Sequence, residues 1–145
     1  MYRSEMQKLE GVWTGIERIE SDEGSHEAHG RWEFHTVFDG RFLLCDYVQT
    51  SPDRPPCVGH AVFRKDDRTQ TLTVSWFRSP MATPYQQIDG VSEGDRLCFY
   101  EKQGDTSTRT LYGIHPHSLT ISTERSVRGG EWQQVFQGSY RRPHV

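Results

Sequence analysis

The stretch Gly11-Val12-Trp13-Thr14-Gly15-Ile16-Glu17-Arg18-Ile19-Glu20 decides how the chain is read. With Trp13 on one face of a strand, an alternation of two places Glu17 on that same face. A large ring can plug a hole that aliphatic side chains fill poorly, and the flanking glycines let neighbouring strands approach and bend. The residues before it, 3–10, allow a helical turn or two, with Ser4 as N-cap and Gly11 as the stop.

Everything after Gly11 reads as strand and turn. Ten strands are expected, near 11–20, 27–37, 41–50, 58–65, 70–78, 84–91, 96–102, 107–114, 118–127 and 131–141. Leu72, Val74 and Trp76 alternate with Thr71, Thr73 and Ser75. Leu119, Ile121 and Thr123 alternate with Thr120, Ser122 and Glu124. Asp39-Gly40, Gly94-Asp95, Gly104-Asp105 and Gly129-Gly130 are hairpin dipeptides, and Asp66–Thr69 and His115-Pro116-His117 look like further turns. Thr50–Cys57, with Pro52, Pro55 and Pro56, reads as a long connection, and Ser79–Pro84 as a second loop. Parallel pairing needs helical crossovers, and no later segment has helical periodicity. The expectation is an all-β, antiparallel up-and-down meander forming one domain over residues 1–145. Closure into a barrel would hide both sheet edges, and an open sandwich is the alternative.

Composition narrows the partners. Only 33% of residues are hydrophobic but 12% are aromatic, so large rings carry the burial and disorder is excluded. A net charge of −3 with intermixed signs offers no nucleic-acid footprint. No apolar run approaches a membrane span, and the first residues lack the apolar segment of a signal peptide. Cys45, Cys57 and Cys98 are odd in number and lack metal spacing, which points to a reducing cytoplasm. The basic residues are mostly Arg, with lysine only at Lys8, Lys65 and Lys102, a skew that fits GC-rich bacterial coding.

The Gly-x-Trp of residues 11–13 resembles the start of the calycins, the lipocalins and fatty-acid-binding proteins among them. Its fuller Gly-x-Trp-x-Gly form is similar to the nitrobindins and to bacterial single-domain families of unknown function. Phe38-Asp39-Gly40-Arg41-Phe42-Leu43-Leu44 and Gly59-His60-Ala61-Val62-Phe63 resemble segments of one such family. The resemblance implies a lipocalin-like barrel with a basic residue lying across Trp13. Arg141 and Arg142, after Tyr140, stand where it belongs. Nitrobindins hold haem through a last-strand histidine, and the matching stretch Gln134-Val135-Phe136-Gln137 has none. Haem is therefore set aside, and no cofactor is expected.

Alternation supplies the candidate cavity. Its apolar wall would be Trp32, Phe34, Trp76, Trp132 and Phe136. Gln134 shares a face with Trp132 and Phe136, Arg125 with Leu119 and Ile121, Arg109 with Leu111, Arg78 with Trp76, and His60 with Val62. Arg109 and Arg125, joined by Tyr112 or Tyr140, would hold an anionic head group. His26, His29, His115 and His117 lack the further ligands that zinc needs and read as exposed turn residues. Cys45 and Cys98 read as buried hydrophobes, and Cys57 as the more exposed thiol. Three functions compete. The first is a binding barrel for a small hydrophobic or amphipathic molecule. The second is a pocket isomerase or hydrolase with Glu17 or His60 as base. The third is an interaction module, such as a homodimer formed through edge strands or proline-rich loops.

Overall fold

The computed structural model describes residues 5–79 and 86–143. A single helical turn, α1 (Glu5–Lys8), leads into ten strands: β1 (Gly11–Ser21), β2 (Gly24–Val37), β3 (Phe42–Ser51), β4 (Arg54–Lys65), β5 (Thr71–Ser79), β6 (Gln86–Glu93), β7 (Arg96–Gln103), β8 (Thr106–Ile114), β9 (Ser118–Val127) and β10 (Gln133–Arg141). Each pairs antiparallel with its chain neighbour, and β10 returns to β1 with Tyr140 opposite Gly15, closing the barrel. Among the described residues no sandwich forms: each strand has a hydrogen-bonded neighbour on both sides. The expected cap Ser4 and the loop 80–84 lie outside the described residues.

The proline-rich connection departs from expectation. β4 begins at Arg54 and carries Pro55 and Pro56, so β3 and β4 meet in a short turn. The register shifts between Gln49 and Ser51, which places the prolines where no ladder N–H is required.

Alternation decides what is buried. Trp13, Trp32, Phe34, Leu43, Cys45, Phe63, Val74, Trp76, Leu97 and Leu119 point inward from successive strands. Met6 and Leu9 join them from α1 and the residue after its last turn. Trp13 is fully buried, and its indole N–H donates to the Leu9 carbonyl at 2.8 Å. Of the two candidate arginines, Arg142 lies across the indole, its guanidinium carbon 4.0 Å from the ring centroid. The same guanidinium donates to the carbonyls of Glu10 at 2.7 Å and Lys8 at 3.1 Å. The first and last segments are thus joined at one end of the barrel by one ring and one cation.

Replacing Trp13 with Ala is expected to cost about 3–5 kcal/mol through the lost burial and the cavity left behind. Arg142→Ala, which removes a cation–π contact and two carbonyl hydrogen bonds, should cost about 1–2 kcal/mol. Urea unfolding followed by tryptophan fluorescence checks the order. A Trp13→Ala midpoint close to that of the parent would refute the plug.

Candidate functional site

At the opposite end the barrel is open. Ile19 late in β1, Gln49 late in β3, Cys57 early in β4, Arg78 and Ser79 late in β5 and Phe136 early in β10 surround a cavity of about 340 Å³. Its deeper wall is aromatic and aliphatic, with Trp32, Tyr47, Trp76, Phe99 and Tyr112 meeting Val74, Ile88 and Ile121. The rings brace one another. Trp32 sits 4.2 Å from Tyr47 with the planes tilted, and edge-on to Trp76 at 5.8 Å, the latter in the edge-to-face geometry that ring quadrupoles favour.

Behind this wall lies Glu17, 0% exposed. Burying a carboxylate costs heavily unless donors replace the lost water. Here four do. Tyr47 Oη donates to Oε1 at 2.6 Å and Gln49 Nε2 to the same oxygen at 3.0 Å. Trp32 Nε1 donates to Oε2 at 3.3 Å and Tyr140 Oη at 2.5 Å. Gln49 also donates to the Tyr47 hydroxyl at 2.8 Å. The room comes from glycine. A Cβ on Gly30 would overlap the Glu17 carboxylate, and one on Gly138 would overlap the Tyr140 hydroxyl. Burial first, and then the Glu17 charge, push the Tyr47 and Tyr140 hydroxyls well above the ordinary tyrosine range. Both therefore stay protonated and donating.

The structure sorts the residues expected at a site. Trp32, Phe34 and Trp76 are buried, and Phe136 lines the cavity. Glu17 points inward, as alternation requires. His60 does not. It is exposed on the outer face of β4 and bonds Asp46 at 2.9 Å, while Ala61 and Phe63 take the inner face. Arg109 is likewise on the outer face, paired with Glu124 at 2.9 Å and stacked 4.0 Å from the Trp132 ring. Trp132 precedes β10, and the register shift between Gln134 and Phe136 breaks the alternation that was to carry it inward. Gln134 is exposed and bonds Gln137 at 2.8 Å. Arg125 is exposed and lines no part of the cavity. Arg141 is exposed, leaving the indole to Arg142. Tyr47 and Gln49 were not expected at a site. Their signal is a shared inner face with Leu43 and Cys45.

The family model for a protein of unknown function, DUF1579, matches residues 2–142. The chain belongs to that family. No curated protein matches it. Among solved structures, this DUF1579 chain is similar to Rv2717c from M. tuberculosis, with TM-score 0.73 and 15% identity over 96% of this chain and 95% of that one. It is also similar to the S-type phycobiliprotein lyase CPES from Guillardia theta, with TM-score 0.68 and 8% identity over 97% and 91%. A third similar structure is EF1p2_mFAP2b bound to DFHBI, with TM-score 0.52 and 14% identity over 94% and 95%. At these identities the likeness establishes the shared barrel fold.

Glu17→Gln turns an amide N–H₂ toward existing donors and should cost about 1–3 kcal/mol in urea unfolding. Glu17→Leu strands all four donors and should cost more. A Glu17→Leu variant as stable as the parent would contradict this account of the cluster. The tyrosines give a second test. Tyr140 and Tyr112 are raised by burial, so above pH ~10 the unfolded chain releases protons that the folded one keeps. Stability present below pH ~10 should then fall as pH rises, by about 1.4 kcal/mol per unit for each such tyrosine. Unfolding curves between pH 9 and pH ~12, with Tyr140→Phe as control, measure the slope.

Proposed function

We propose that the protein is a binding barrel that takes up a small hydrophobic or amphipathic molecule at its open end. The observation that carries this reading is the cavity of about 340 Å³ with its aromatic wall. Small-molecule sites are concave, mostly apolar and about 300–1,000 Å³ in volume. A solid barrel would have filled the same space with side chains. The same fold occurs in a phycobiliprotein lyase and in a protein whose structure was solved bound to DFHBI, which fits a scaffold that accommodates small molecules.

The acid–base alternative finds less support. His60 lies on the outside, away from anything in the cavity. Glu17 already accepts four hydrogen bonds from protein donors, which suits a carboxylate that positions the wall.

Native mass spectrometry of freshly purified protein, with displacement of the neutral dye N-phenyl-1-naphthylamine by fatty acids and by aromatics, tests the reading. Saturable, stoichiometric dye binding is expected, and occupancy should slow alkylation of Cys57, which lines the cavity. No dye uptake, no bound mass and unchanged Cys57 labelling would overturn it.

A further inference from the structure

Most polar groups on the cavity wall are already committed. Thr110 and Thr123 bond each other at 3.2 Å. Trp32, Tyr47 and Gln49 all donate to Glu17. The groups left over can all donate. Tyr112 is 2% exposed and lines the cavity, and its hydroxyl has no hydrogen-bond partner among the described residues. No side-chain N or O that is sealed from solvent lacks a partner among those residues, so this hydroxyl opens onto the cavity. The same reasoning holds for the indole N–H of Trp76.

Arg78 supplies the charge. It follows Trp76 on the inner face of β5, at the mouth, with its guanidinium carbon 4.4 Å from the Trp76 ring centroid. Among the described residues no carboxylate pairs with it. Arg109, by contrast, pairs with Glu124, and Arg142 is held by two carbonyls and an indole. The guanidinium's charge is also felt at Tyr112, where it offsets part of the rise caused by burial.

A wall with spare donors and a free guanidinium lacks an acceptor. Glu17 fixes where that acceptor belongs, because an anion beside Tyr47 and Gln49 would face a buried carboxylate one side chain away. We propose that Arg78 and Tyr112 form the polar pole of the cavity and that its ligand is an apolar molecule bearing a carboxylate. The apolar body lies among Trp32, Trp76, Phe99 and Ile121, and the carboxylate faces the mouth. Charge-assisted bonds from a guanidinium to a carboxylate are the strong ones, and a buried tyrosine hydroxyl adds selectivity for an acceptor. This inference rests on the binding reading above.

The test uses two matched pairs, naphthalene-2-carboxylate against its carboxamide and decanoate against decanamide, titrated calorimetrically into the full chain. The parent is expected to bind at least one carboxylate about tenfold or more tightly than its amide. Arg78→Gln, at an exposed position, should abolish that preference, bringing carboxylate affinity down to that of the matching amide measured on the same variant. Tyr112→Phe should reduce carboxylate binding several-fold. Equal binding of carboxylates and amides, or an Arg78→Gln variant that keeps the preference, would overturn the proposal while dye binding still upheld the cavity reading. Failure of all four molecules to bind a dye-competent protein would overturn it as well. The pair with the tighter carboxylate shows whether the ligand body is aromatic or aliphatic.

Discussion

A buried carboxylate dictates much of this barrel. Glu17 stands on β1, next to the seam where the last strand meets the first, and its four donors come from β2, β3 and β10. Each strand ladder holds only neighbours, whereas this cluster ties β1 to both neighbours and to one strand beyond. The constraint works in reverse too. A charge with no water must keep every donor, so Tyr47, Gln49, Trp32 and Tyr140 are fixed in position and rotamer. Three of those four are cavity wall. The shape of the empty space is therefore set by a residue that never touches it.

The two ends of the barrel divide the work. At one end Trp13, Leu9 and Arg142 fill and clamp, using burial and backbone carbonyls. At the other, the side chains stop short of filling. On the outer face the His60–Asp46 hydrogen bond and the Arg31–Glu33 ion pair are solvated and contribute little to either task. What holds the barrel is internal: aromatic and aliphatic side chains packed together, with the hydrogen bonds to Glu17 set among them.

The fold was legible because its signals repeat: alternation, glycine turns, and no helical period after Gly11. The site was legible only where alternation had an anchor. Trp13 is unmistakably inside, so Glu17 four residues on was placed correctly. His60 and Arg109 were placed by Val62 and Leu111, apolar residues that in fact lie on the outer face. Alternation separates two faces but does not name the inner one when both carry apolar side chains. Trp132 and Gln134 failed for a different reason. One extra residue at a register shift reverses the parity on one side of it, and no residue type in Gln133–Phe136 announces that shift. Tyr47 and Gln49 needed the third dimension, since only the closed barrel brings β3 to the Glu17 carboxylate.

The seam also bears on how the chain comes to be folded. Tyr140 leaves the ribosome 123 residues after Glu17. At roughly 5–20 residues per second, the carboxylate waits about 6–25 s for its last donor. Throughout that interval the nascent sheet has two open edges and a bare aromatic face. A domain that must join its first strand to its last cannot mature piecemeal during synthesis. The β1–β10 ladder that closes it is long-range, the kind of pairing that costs most in loop-closure entropy.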